Sequence, residues 1–175
     1  MARRGTGGLL AVDFFISGYR ISGHVSTYVR SVADMLNDTL RSYLELQDVY
    51  ISRISRPADI VAAYPHAELR KETLLFAIVP IRESLSKVTR SVSYFGRQRF
   101  PVWLSLPMFE IEGELQATGM PFDLEAFLAE RSGQYVAVVD AVARPTGSPD
   151  TSFSGEALLV NQRCIDLFCM GKQPT

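Results

Sequence analysis

Cysteine, tryptophan and histidine are scarce in this sequence. Of its 175 residues two are Cys, one is Trp and two are His. Cys164 and Cys169 stand five apart in one apolar run, and in a strand that odd spacing places them on opposite faces, where they cannot bridge each other. They read as buried reduced thiols of a cytoplasmic protein. His24 ends an alternating stretch and His66 follows Tyr-Pro in a loop-like stretch, so neither is patterned as the base of a nucleophile–His–acid set. Nor do the four Cys and His residues follow a zinc-binding spacing.

Charge of one sign is also missing. The formal net charge is −1, which gives no global pull toward nucleic acid or an anionic membrane. No apolar run approaches the roughly 20 residues of a membrane span. The first apolar patch is broken by Asp13 and lacks a small-residue cleavage site, so a signal peptide is not expected. The glycine cluster at residues 5–8 has no Lys-Ser/Thr after it and no strand before it, and reads as a tail, not a phosphate loop. These absences lead to the expectation of a non-enzymatic protein with no cofactor and no metal.

What the sequence does contain is a long-period recurrence. The stretch 10–25 can be laid on 100–115 at a shift of 90, with Val12 on Val102, Ile21 on Ile111 and Gly23 on Gly113. Both stretches are apolar with alternating ends, and the two glycines mark a bulge or a close approach of backbones. Residues 31–40 place Val32, Met35, Leu36 and Leu40 on one helical face behind Ser31 as N-cap, with Asp34 three residues on. Residues 123–130 repeat this at a shift of 92, with Asp123 as cap and Leu124, Phe127 and Leu128 as the face. The strands YLELQDVYI (43–51) and YVAVVDAVA (135–143) also stand 92 apart, each carrying an Asp, Asp48 or Asp140, at the same place. Loops with Pro and turn residues are expected after both. Finally 69–79 matches 160–170 at a shift of 91. Four segments thus recur in one order, with a period too long for a solenoid.

The string of VADMLND with LQDVYI in the first half, and LLVNQRCIDLF in the second, resembles a small bacterial domain family of Chloroflexi type whose function is unknown. On that resemblance residues 17–79 and 108–170 would be two copies, with LRKETLLF departing from the Asn-containing strand start of the family. The resemblance implies a small β-rich fold in a bacterial, cytoplasmic setting, and no activity.

Some residues have side chains that could carry chemistry. Glu110, Glu112 and Glu114 share one strand face opposite Phe109, Ile111 and Leu115, and read as a solvated face. Asp48 and Asp140 read as strand-closing residues that bond a local N–H and begin the following loop. Arg53 and Arg56 precede Pro57 at a spacing of R-x-x-R, one residue short of the R-x-x-x-R of PilZ-type cyclic-dinucleotide receptors, and the later D/N-x-S-x-x-G element of that family is absent. Residues 1–99 carry 14 basic and 9 acidic side chains, net +5, and 100–175 carry 4 and 10, net −6. The excess of base gathers in 81–99, with Arg90, Arg97 and Arg99, beside Tyr94 and Phe95. This stretch fits a helix or a strand equally well.

The expected fold is α+β and β-rich: two similar modules (strand–short helix–strand–strand) packed about a pseudo-twofold axis. The tail is 1–8, the first copy 9–80, the basic connector 81–98, the second copy 99–170 and the last tail 171–175. The expected role is an interaction or scaffold protein that self-associates or binds a protein partner, with no membrane association. Its candidate interaction residues are Arg53, Arg56, Arg90, Arg97, Arg99 and Trp103. Phe14 and Phe15 are further candidate anchors, and LLAVDFFI and FPVWLSL are the expected pairing edges. The alternative is a nucleic-acid or nucleotide-binding adaptor that uses the basic connector and the Arg53/Arg56 loop.

Overall fold

Each apolar stretch that opens a half folds back on itself. Leu9–Ile16 (β1) and Tyr19–Ser26 (β2) form a hairpin, as do Arg97–Leu106 (β6) and Phe109–Thr118 (β7). The first turn uses Gly18 at φ +83°, which glycine adopts freely. The second places Met108 at φ 68°, a conformation that a side chain disfavours, and for that reason the turn carries no sequence signal. The computed structural model describes residues 8–86, 97–118, 122–130 and 134–171.

After the first hairpin come the helix Val32–Asn37 (α1), the strands Tyr43–Arg53 (β3) and Arg56–Arg70 (β4), a 3-10 turn at Lys71–Thr73 and the strand Phe76–Val79 (β5). After the second come Leu124–Glu130 (α2), Tyr135–Pro145 (β8), Phe153–Asn161 (β9), a 3-10 turn at Gln162–Cys164 and Leu167–Met170 (β10). The ten strands of the described residues form one antiparallel sheet in the order β10-β6-β7-β8-β9-β5-β1-β2-β3-β4. Ser31 closes a capping box with Asp34 ahead of α1, and the Asp123 carboxylate accepts from Ala126 N ahead of α2.

The ladders recur with the elements. Val12 pairs with Gly23 and Val102 with Gly113; Ser22 pairs with Tyr50 and Glu112 with Val142; His24 pairs with Gln47 and Glu114 with Val139. Bonds outside the strands recur as well. Ile54 N donates to Gly18 O and Thr146 N to Met108 O, while Leu75 N donates to Phe15 O and Asp166 N to Ser105 O.

The two halves meet at the β9–β5 ladder, where Phe76 faces Val160 and Val79 faces Ala157. This junction is apolar on both sides. Ala77, Val79, Ala157 and Leu159 join the core of the first half, around Phe14, Leu46 and Val49. Phe76, Leu158 and Val160 join the core of the second, where Phe15 stacks on Phe76 at 4.4 Å and meets Phe153 and Phe109 edge-on. Each such side chain contributes about 1.5–3 kcal/mol on full burial. A twofold exchange of the halves would carry the β9–β5 ladder onto a β4–β10 ladder. The sheet instead has β4 and β10 at its two ends, so the halves follow one another and the expected twofold relation is not present in it.

Several expectations need correction. Asp48 and Asp140 do not end their strands; they sit at mid-strand bulges with φ 49° and 47°, opposite Gly23 and Gly113, where the register of the neighbouring ladder shifts. The bulge crowds Gly113, where a Cβ would stand 2.6 Å from Val138 Cγ1 and 2.9 Å from Ala141 Cβ; at Gly23 a Cβ would fit, 3.4 Å from Leu46 Cβ. The loop expected after Tyr43–Ile51 is strand β4, and it contains His66. Leu40 lies beyond the end of α1 and is exposed. Cys164 ends a 3-10 turn, and both thiols are free and half-buried. The connector does not begin at 81. Ile81–Ser84 is a 3-10 turn packed on the first half, with Glu83 buried and accepting from Val32 N. Nor does it reach 98, since β6 starts at Arg97. Its residues 87–96, with Arg90, Tyr94 and Phe95 and the choice between helix and strand, lie outside the described residues, as do 1–7 and 172–175.

Candidate interaction edge

β4 is the longest strand and it is an edge. It has fifteen residues and pairs with β3 along one side, from Arg70 opposite Tyr43 to Arg56 opposite Arg53, with bulges at Val61 and at 57–59. Among the described residues no strand pairs with the other side of its backbone. Only Leu69 along it is buried. Between Pro57 and Pro65 the strand carries Ile60, Val61, Ala62, Ala63 and Tyr64, with Ile60 61%, Val61 44% and Tyr64 58% exposed. The two prolines fit an edge, because a strand with one open side can spare their missing N–H groups. Arg56 and Glu68 are exposed near the ends of the strand. β10, at the far end of the sheet, is four residues long, with Leu167 as its one fully exposed side chain.

The sequence reading missed this element. Two prolines and an exposed face on both sides removed the alternation that marks a half-buried strand. The surviving signal was the five-residue apolar run 60–64 between them. The edges that were expected are interior: β1 lies between β5 and β2, and β6 between β10 and β7. Phe14 and Phe15 are fully buried core, and Trp103 is half-buried on the face of β6 away from Val102 and Leu104.

Nor do the described candidate arginines, Arg53, Arg56, Arg97 and Arg99, form one patch. Arg53 and Arg56 are exposed and face each other across the β3–β4 turn. That turn is held to Gly18 through Ile54 N, and the Gly18 turn reaches the β6–β7 turn through Ser17 Oγ and Met108 Sδ, 3.6 Å apart. Arg99 lies toward the opposite end of β6, roughly 20 Å away along the strand. Its guanidinium donates to Glu114 Oε2 at 3.0 Å and to Asp140 Oδ2 at 2.7 Å. These two bonds, Glu114 first, hold it charged more firmly than a free arginine. Arg97 at the start of β6 is half-buried. The acidic face of β7 is thereby tied to neighbours in the chain, Glu112 to Arg144 at 3.2 Å and Glu114 to Arg99.

Comparison with family models, with curated proteins and with solved structures gives no match.

Two concavities among the described residues carry polar side chains. One, of about 390 Å³, crosses the outer face of β1, β2 and β3, where Asp13, His24, Asp48, Tyr50 and Glu156 line it. Asp13 is occupied by Arg20 at 2.8 Å and Ser22 at 2.5 Å, while His24 Nδ1 is buried with no hydrogen-bond partner among the described residues. The other, of about 550 Å³, lies where the halves meet, between Arg41, Tyr43, Arg70, Lys71, Tyr135 and Arg163. Its floor is fully bonded: Lys71 Nζ donates to the carbonyls of Met35 and Asp38, Tyr135 Oη to that of Lys71, and Asn161 Nδ2 to that of Leu74. Among the described residues no three His, Cys, Asp or Glu side chains converge as metal ligands, and no helix is long and apolar enough to cross a membrane.

Proposed function

We propose that the chain is a non-enzymatic interaction or scaffold module, built from two copies of one α+β unit, that self-associates or binds a protein partner by adding a strand to its free edge. One observation carries the reading: β4 offers an open ladder with Ile60, Val61 and Tyr64 exposed along it. Long edge strands with apolar side chains pair with other chains unless they are covered or charged. The two-copy part is supported by the ladders and turn bonds that recur at shifts of 90 to 92. A reducing bacterial cytoplasm suits the two free thiols.

The alternative, an adaptor for nucleic acid or nucleotides, is favoured by the exposed pair Arg53 and Arg56 at the β3–β4 turn. Light scattering against concentration at low and high salt, followed by titration with a labelled oligonucleotide, separates the two. Masses above the 19.5 kDa of one chain, without oligonucleotide binding, are expected. A strict monomer that binds the oligonucleotide in a salt-sensitive manner would replace the interaction reading with the adaptor.

A further inference from the structure

The two halves place different side chains on one backbone frame. Leu9 pairs with Ser26 as Arg99 pairs with Gln116, and His24 pairs with Gln47 as Glu114 pairs with Val139. Asp48 and Asp140 sit at the two bulges with φ 49° and 47°. Leu9, His24 and Asp48 therefore stand where the second half has Arg99, Glu114 and Asp140. There the three form one unit, because the Arg99 guanidinium donates to both carboxylates, at 3.0 and 2.7 Å. The first half keeps the aspartate but has an exposed leucine in place of the cation. Neither His24 nor Asp48 has a side-chain hydrogen bond or ion pair among the described residues. Asp13 likewise stands where the second half has Trp103, each opposite the residue that follows in its hairpin, Ser22 or Glu112.

The concavity of about 390 Å³ lies over these positions of the first half. No Lys or Arg lines it, and of its three carboxylates Asp13 alone has an ion-pair partner among the described residues. Glu156 accepts only from Ile81 N, at 2.9 Å. We infer that this groove binds a planar organic cation, a guanidinium or amidinium, held by Asp48 as Asp140 holds Arg99. Such a group offers parallel N–H donors to a carboxylate. Tyr50, 48% exposed, gives it an aromatic wall, and Ile78 and Pro80 give its body an apolar one. A metal ion suits the groove less, since no three ligating side chains converge among the described residues, whereas the volume is that of a small-molecule site. The groove lies on the face of the sheet and is independent of the β4 edge, so either reading can fail alone.

The test titrates the full ¹⁵N-labelled chain with benzamidine at low salt and follows its amide resonances. Benzamide, of the same shape without the charge, is the control. Benzamidine is expected to shift the amides of 24 and 47–50 saturably, and to leave those of 114 and 139–142, where Arg99 already sits, in place. Benzamide is expected to bind about 10-fold more weakly or not at all. Leu9→Arg gives the first half its own guanidinium, and Asp48→Asn removes the carboxylate in a residue that tolerates positive φ; each is expected to weaken benzamidine about 10-fold. A blocked Gly-Arg-Gly peptide separates the sources: tighter binding than benzamidine assigns the groove to an arginine of another polypeptide, weaker binding to a free small cation. Absence of a saturable shift at 24 and 47–50, equal shifts with benzamide, or binding that survives both substitutions overturns the inference. The benzamidine–benzamide comparison needs no variant, so it decides the matter even if the substituted chains fold poorly.

Discussion

The hydroxyl of Tyr135 donates a 2.6 Å hydrogen bond to the main-chain carbonyl of Lys71, a link from the second half of the chain to the first. Both ends are buried. Tyr135→Phe keeps the ring and leaves the carbonyl its bond from Leu74 N, so a loss of about 0.5–1.5 kcal/mol is expected in urea unfolding, with an unchanged denaturant slope. Burial, with a smaller contribution from Cys164, holds this phenol well above the usual tyrosine range. A raised folded pKa favours the protonated form, so its contribution is intact below pH 10 and is lost as pH rises beyond that. The alkaline loss of stability should be shallower in Tyr135→Phe.

Lys71 behaves in the opposite sense. Its ammonium donates to Met35 O at 3.0 Å and to Asp38 O at 2.5 Å, closing the C-terminal end of α1. Desolvation holds it below the usual lysine range, Asp38 opposes that, and Arg30 and Arg41 add to it. Between the folded pKa and 10.5 the unfolded chain binds more protons, so this group alone makes stability rise with pH. On α2 the same task falls to Gln162, whose amide donates to Leu128 O at 2.9 Å. Lys71→Gln is therefore expected to be milder than Lys71→Met, which opens both carbonyls and should cost about 1–3 kcal/mol. Urea midpoints from pH 8 to 11 check both the order and the sign.

The paired glycines separate packing from propensity. A Cβ on Gly23 would meet Leu46 Cβ at 3.4 Å, whereas one on Gly113 would meet Val138 Cγ1 at 2.6 Å. Gly113→Ala should destabilise by about 1–3 kcal/mol through overpacking, and Gly23→Ala by less than about 1 kcal/mol. Thermal melts of the two variants provide the comparison.

What could be read from the sequence follows from periodicity. The helix caps at Ser31 and Asp123, the solvated face of Glu110 and Glu112, and the order of the segments were legible, because each is fixed by local chemistry or by a half-buried face. The Gly18 and Met108 turns were not, since neither follows a hairpin signature, and the hairpins merged into single stretches. The mid-strand Asp bulges imitate a strand end, because they flip the alternation at Asp48 and Asp140. β4 was hidden for the reason that makes it the candidate site. No described strand pairs with its outer side, and an edge strand exposed on both faces does not alternate.

Hydrogen exchange of the full chain at two concentrations tests the role of β4 most directly. Amides of residues 60–64 should become more protected as concentration rises, while those of β10 stay unchanged. Fast exchange of 60–64 at every concentration, or protection that appears in β10 instead, would contradict it.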